Sequence, residues 1–285
     1  MRVFVTCWVL MLMPLPVLAL PDWQSPKGMD AEHLGQVLNT RTGEWESPAV
    51  LVAALADEAY VLLGEKHDNP DHQALQLWLL QALQSERRQA SLVVEMLRSE
   101  QQPQLDQWQG QSLPDDVSLP EELGWQGWDW SAYGELVRWG LTYSERLLAS
   151  NLSRSEIQAA YQQPEPLDEQ RYSSAARDQL GRIMQRSHCD KLPEERMPAM
   201  LAIQQARDQR MAAVLSSADA PGLLVAGAFH VRKDLGVPLH WPSAMAEPMV
   251  VMLVEAGSDL PDAGQADWVW LTPAQPEQDH CAQFR

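Results

Sequence analysis

Lysine is scarce in this chain of 285 residues, and so is cysteine. Lys27, Lys66, Lys191 and Lys233 are the only lysines, and Asp plus Glu outnumber Lys plus Arg by 39 to 21, for a formal net charge of -18. So acidic a composition excludes nucleic acid, or an anionic membrane, as the principal partner, because both need cations to neutralise phosphate. Three cysteines occur, Cys7, Cys189 and Cys281, and none has the C-x-x-C spacing of a zinc site or redox pair. Also missing are the G-x-x-x-x-G-K-[ST] phosphate loop, the G-x-G-x-x-G dinucleotide fingerprint, the G-x-S-x-G nucleophile elbow and a C-x-x-C-H run.

The longest apolar run lies in the first twenty residues. Met1-Arg2 precedes residues 3–17, and Ala19 follows with Val17 two positions before it. This pattern predicts a secretory signal peptide over 1–19, and Pro14 and Pro16 oppose a membrane span. The mature chain is then expected outside the cytoplasm, in a periplasm or outside the cell. Cys7 precedes most of the apolar run instead of following it, the wrong place for a lipidation signal. Cys189 and Cys281 remain in the mature chain, and an oxidising compartment predicts a disulfide between them; the alternative is two separate buried thiols.

Beyond the signal, the pattern is that of a single domain over 20–272 with a loose tail over 273–285. Alternation around Thr42-Gly43 predicts a hairpin within 35–45. Apolar runs predict strands over 60–65, 91–96, 146–151, 222–229, 249–255 and 267–271. Helical periodicity falls between them at 48–57, 70–88 and 131–143, and a helical insertion occupies about 153–217, broken at Pro164, Pro166 and Pro193. Residues 99–130, rich in Gln, Pro and Trp, read as a short helix and a long ordered loop. Strands alternating with helices imply an α/β fold with a largely parallel central sheet flanked by helices, and an added helical subdomain.

Two strand ends share one grammar. Gly64-Glu65-Lys66-His67 closes the first long strand, and Gly227-Ala228-Phe229-His230 closes a later one. The run at 91–96 likewise carries a carboxylate, Glu95. Side chains alternate along a strand, which puts Glu65 and His67 on one side and Ala228 and His230 on one side. If these strands are neighbours, Glu65, His67, Glu95 and His230 meet at one end of the sheet, where ligands of open α/β folds bind. Two imidazoles and two carboxylates suit a divalent metal, or an acid and base without one. The plainer alternative is a buried ion-pair network kept for structure. His72 reads as a helix-face residue, and His33, His240 and His280 as surface.

The tryptophans at 125, 128 and 130 commonly close a core; alternatively they make a flat wall for a large planar ligand, with Tyr133 available as an anionic donor to ferric iron. Arg232 and Lys233, directly after His230, suit ligand carboxylates or are simply solvated charges.

Taken in order, the Gly64 to Asp68 motif, Val93-Val94-Glu95-Met96, Ala149-Ser150-Asn151-Leu152-Ser153-Arg154, His188-Cys189-Asp190-Lys191-Leu192-Pro193, the 205–212 run Gln-Ala-Arg-Asp-Gln-Arg-Met-Ala, and Gly227-Ala228-Phe229-His230-Val231-Arg232 with Gly236-Val237-Pro238 resemble the ChaN family of haem-binding uptake proteins. That family sits in a superfamily with Tiki proteases, TraB-like proteins and erythromycin-esterase-like enzymes. The resemblance implies haem as cofactor and a role in bacterial iron uptake in the periplasm or at the outer membrane, where a haem-uptake receptor is a candidate partner. It also implies a homodimer pairing two cofacial haems, each with a tyrosine on the iron. Tyr133 and Tyr172 are the tyrosines it points to, with Tyr161 third, and Arg232 and Lys233 are the candidates near the propionates. Without a C-x-x-C-H run the haem is not covalently attached. The superfamily also offers an alternative, a metal-dependent hydrolase acting on peptides or esters through Glu65, His67, Glu95 and His230.

Overall fold

The computed structural model describes residues 19–278 and 281–282; residues 1–18 of the expected signal peptide, and His280, lie outside them. In chain order the hairpin strands β1 (Val37–Asn39) and β2 (Glu44–Glu46) come first, then α1 (Pro48–Ala56), β3 (Tyr60–Glu65) and α2 (Pro70–Glu86). Next are β4 (Ser91–Arg98), α3 (Gln102–Trp108), α4 (Ser118–Glu122), α5 (Trp130–Tyr143) and β5 (Arg146–Asn151). The helical insertion follows as α6 (Arg154–Gln162), α7 (Ser174–Ser187) and α8 (Met197–Ser217). The chain closes with β6 (Gly222–Gly227), α9 (Ala228–Val231), β7 (Met249–Glu255) and β8 (Trp268–Thr272).

The strands form one eight-stranded sheet in the order β2-β1-β8-β7-β3-β6-β4-β5. From β8 to β5 every pairing is parallel, and the β1–β2 hairpin adds an antiparallel edge on β8. The expected α/β class is therefore observed. Strand β6 returns late in the chain and inserts between β3 and β4, pairing with both. This reversal of strand order opens a crevice at the carboxyl ends of β3, β6 and β4.

Alternation along β3 explains the layers. Val61 and Leu63 join Leu75, Leu79 and Leu83 of α2 and Leu136 and Val137 of α5 in one apolar cluster. Leu62, between them, joins Met211, Ala212 and Leu215 of α8 in the cluster on the opposite face. Each fully buried leucine contributes roughly 1.5–3 kcal/mol, so a one-residue slip of β3 would forfeit both faces together. The insertion adds a small core built from Leu167, Tyr172, Ala176, Leu180 and Ile183, to which Leu235, from the segment after α9, contributes.

Three expectations are corrected. The strand predicted over 222–229 stops at Gly227, and the next four residues turn into α9. The short helix expected within 99–130 is α3, but the stretch after it is not all loop: α4 lies within it, and Trp125, Trp128 and Trp130 pack against the core cluster on the α2 side. The segment after β8, expected to be loose, is tied down where Ala274 bridges Lys27 and where Cys281 is bonded to Cys189. That disulfide joins the pair anticipated from the sequence. Among the described residues no helix is long and apolar enough to cross a membrane.

Candidate functional site

At the carboxyl ends of β3, β6 and β4 the four predicted side chains meet. Glu65 is buried on the α2–α5 face, where its Oε1 accepts from the Tyr133 hydroxyl at 2.7 Å and its Oε2 from Gln76 Nε2 at 2.5 Å. His67 Nδ1 stands 2.9 Å from Glu65 Oε1, and its Nε2 lies 3.9 Å from Glu95 Oε2. Glu95 accepts the Gly227 amide at 2.8 Å, and its other oxygen is 3.4 Å from His230 Nε2. The pairing of β4 with β5 shifts register between Val94 and Arg98, so Glu95 sits in an irregularity of the strand, a device that re-aims a side chain.

His230 reaches this row from α9 and not from a strand. Its placement depends on Gly64, where a Cβ would stand 2.3 Å from Val231 Cγ2 and 3.2 Å from Ala228 Cα. Only a glycine lets that turn lie against the end of β3. The far side of the His230 ring, Nδ1, is 2.5 Å from Asp208 Oδ1 and 3.1 Å from Gln204 Nε2. Asp208 and Gln76 complete the row and were not anticipated as site residues. Both carried a signal, a polar residue inside a buried helical stripe: Gln76 among Leu75, Leu79 and Leu83, and Asp208 among Ile203, Met211, Ala212 and Leu215.

The electrostatics follow from this alternation of imidazole and carboxylate. Burial alone would lower the His230 pKa, but the charges of Glu95 and Asp208 outweigh it and drive the value up. Burial likewise works against charge on His67, and the Glu65 hydrogen bond with the Glu95 charge overturns it, again upward. Glu95 is held well below the usual carboxylate range despite its burial, chiefly by His230 and then by His67 and the Gly227 amide. Asp208 goes the other way because its burial exceeds the pull of His230. Tyr133 is pushed far above the usual phenol range, first by burial and then by Glu65. The directions agree with one another: the acids favour the charged form of both imidazoles, and the imidazoles favour the charged form of Glu95.

A metal has little place in it. Among the described residues no group of three or more His, Cys, Asp or Glu side chains is placed to hold a metal ion. Imidazole and carboxylate atoms of Glu65, His67, Glu95 and His230 face one another, each ring already paired to an acid. The predicted divalent metal therefore gains no support from this arrangement.

Over the row lies a cleft of about 940 Å³, walled by α7, α8 and α9 and by the ends of β3 and β7. Its lining is largely apolar, including Ile157, Ile183, Met184, Met200, Ile203 and Phe229, with Glu65, His67 and His230 at its floor. No tryptophan lines it. Trp128 instead covers His67, at 4.6 Å between ring centroids, and meets Tyr133 edge-on at 5.8 Å. The flat aromatic wall expected for a planar ligand is therefore a lid on the buried row.

Other expected residues are placed differently too. Tyr133 and Tyr172 are fully buried, and the Tyr172 hydroxyl is bonded to His240 Nε2 at 2.8 Å. Burial, joined by the charge of Asp208, raises Tyr172 far above the usual phenol range. Both hydroxyls are thus enclosed and engaged within the protein, with neither turned towards open space. Arg232 forks onto Asp234 at 2.9 and 2.6 Å, and Lys233 is bonded to Asp267, so the two cations expected near propionates are spent within the protein. His72 is no helix-face residue: it is buried, takes the Lys66 amide on Nδ1 and meets Thr272 Oγ1 through Nε2, and burial lowers its pKa to about 3. His240, expected at the surface, is half-buried and lowered to about 4 by burial and then by Arg171.

Comparison with known proteins sets this geometry in a family. The profile of the family described as haem-binding uptake, Tiki superfamily, ChaN matches residues 51–240. Among solved structures, that of ChaN of Campylobacter jejuni with cofacially bound haem superposes with a TM-score of 0.73 at 31% sequence identity, covering 82% of this chain and 95% of that one. The type III effector HopBA1 gives 0.40 at 14% identity, covering 78% of this chain and 91% of that one. The toxin effector domain RRSP of Vibrio vulnificus gives 0.43 at 11%, covering 78% of this chain and 37% of that one. Neither of these two bears on function. No curated protein sequence matches the chain. With its family profile spanning two thirds of the sequence and its fold shared with a haem-binding member, the chain belongs to the ChaN family of haem-binding uptake proteins in the Tiki superfamily.

Proposed function

We propose that the chain binds ferric haem in the cleft above β3, β6 and β7, as a dimeric carrier in bacterial haem uptake outside the cytoplasm. The observation that carries this reading is the cleft itself. It is of ligand size, about 940 Å³, and apolar-walled, and it lies at the strand ends where an α/β fold takes its ligands. Exposed apolar side chains at its lining, Phe229 at 47% and Leu260 at 43%, favour a second copy closing over it. The relative from Campylobacter jejuni carries its haems cofacially, an arrangement that two facing clefts would serve. The Cys189–Cys281 disulfide supports an oxidising compartment.

For the iron, Tyr161 is the tyrosine that fits. It follows Ile157 by four residues on α6, so the two share a helix face, and Ile157 lines the cleft. The residue is 41% exposed, in contrast to Tyr133 and Tyr172. A phenolate is a hard donor suited to ferric iron, and haem bound to it supplies a carried iron without covalent attachment.

Titration of the purified chain with ferric haem, followed by size-exclusion chromatography, tests the reading. A saturable, shifted Soret band on a species of twice the monomer mass is expected. Tyr161→Phe should alter that band and weaken binding by about tenfold or more, with Tyr172→Phe close to the parent. Absence of saturable binding sinks the haem reading; an unaltered band in Tyr161→Phe sinks only the choice of ligand.

A further inference from the structure

Among the cleft's lining residues are one lysine and two arginines, and two of these three are neutralised. Lys66 Nζ is 2.9 Å from Glu255 and 3.4 Å from Asp68, and Arg232 is forked onto Asp234. Arg207 differs. It lies on α8 next to Asp208 and three residues after Gln204, on the face that also presents Met200 and Ile203 to the cleft. Among the described residues its guanidinium makes no hydrogen bond or ion pair, and its Nε is enclosed with no partner at all. An enclosed guanidinium donor left unmatched is costly, the more conspicuously in a chain of net charge -18 with acids to spare. The neighbouring Asp208 feels the Arg207 charge but makes no hydrogen bond to it, since Asp208 is turned to His230 through Oδ1 and its Oδ2 is likewise unmatched.

We propose that Arg207 is the anchor for a ligand carboxylate in the strand-end cleft. The ligand class follows from the surroundings: a guanidinium fork pairs two-pronged with a carboxylate, and the apolar walls take the hydrocarbon body that carries it. The proposal rests on the haem reading, whose propionates supply that chemistry, but it concerns the acid groups and not the iron. It also assigns the acid-binding role to α8, in place of the strand-end cations Arg232 and Lys233.

Metal-free protoporphyrin IX and its dimethyl ester, titrated into the purified chain and followed by porphyrin fluorescence, separate acid recognition from iron ligation. The parent chain should bind the free acid more tightly than the ester by about tenfold or more, as expected for a charge-assisted hydrogen bond. Arg207→Gln should abolish that preference by weakening the acid alone, and Arg207→Lys should restore part of it. The thermal midpoint of Arg207→Gln should equal or exceed the parent's, because no internal partner is lost; this shows that the variant is folded. If Arg207→Gln keeps the acid preference, weakens acid and ester alike, or if the parent binds no porphyrin acid, the proposal is overturned. An Arg207-dependent acid preference without any haem ligand band would instead overturn the haem reading and leave the anchor standing.

Discussion

His230 is the residue on which the buried row turns, since it is clamped between Glu95 and Asp208 and touches both through opposite ring nitrogens. Its pKa rises from an ordinary 6.5 to about 10 in the fold, the charges of Glu95 and Asp208 overriding burial. A raised histidine contributes stability that is complete below pH 6.5 and is lost as pH climbs towards 10. Glu95, depressed, contributes stability that is lost as pH falls below the ordinary carboxylate range, and His72, lowered to about 3, adds a second loss on the acid side as pH falls below 6.5. The thermal midpoint is therefore expected to decline between pH 6.5 and 10, and His230→Gln should flatten that decline while lowering the midpoint at pH 6. A parent profile that is flat over this window would contradict the charged imidazole. At this scale the sequence was informative about which residues converge. Glu65, His67, Glu95 and His230 stood out because each is an ionisable group closing an apolar run. Asp208 was less visible because its neighbours in space, not in sequence, make it part of the row.

Elements were legible where a periodicity is long, and blurred where it is short. The 249–255 strand and the Tyr60–Glu65 strand fall where their apolar runs lie, because a buried parallel strand is hydrophobic on both faces. The 222–229 run overran, because Ala228, Phe229, His230 and Val231 satisfy a strand pattern as readily as one helical turn. What decides is the contact at Gly64, which only the folded chain contains. Gly64→Ala puts a methyl into Val231 and should destabilise the chain by about 1–3 kcal/mol, the usual penalty of overpacking. Gly181→Ala, in the interior of α7 with nothing within 4 Å of the added Cβ, should instead be neutral or stabilise by up to ~1 kcal/mol. Urea denaturation of the two variants checks both signs. Equal midpoints would mean that α9 yields to the extra methyl and that the close approach at Gly64 is not what positions His230.

The strand order of the whole molecule was beyond the reach of pattern, because β6 joins β3 and β4 only after the helical insertion has been traversed. The two cysteines are likewise far apart in sequence, with a separation of 92. Cys189 lies just past the end of α7, one wall of the cleft, and Cys281 lies in the final segment, which is also held by the Lys27–Ala274 bridge and by Gln275 bonded to Glu255 and Ser25. The disulfide therefore closes a loop of sequence separation 92 that contains α8, β6, α9, β7 and β8, and with them part of the cleft lining and two members of the buried row, Asp208 and His230. Restricting so long a loop in the unfolded chain stabilises the fold by up to ~4.6 kcal/mol in the chain-entropy account, and about 2–4 kcal/mol is the usual yield. Replacing both cysteines by serine should lower the unfolding free energy by that amount in urea, and a reductant should bring the parent down to the variant's midpoint while leaving the variant unmoved. Because Met184, Ser187 and His188 line the cleft beside Cys189, the double variant is also expected to bind haem more weakly than the oxidised parent. An unchanged midpoint would show that the final segment is secured by its contacts with residues 25–27 and Glu255 alone, and that the α7 wall stands without its covalent tie.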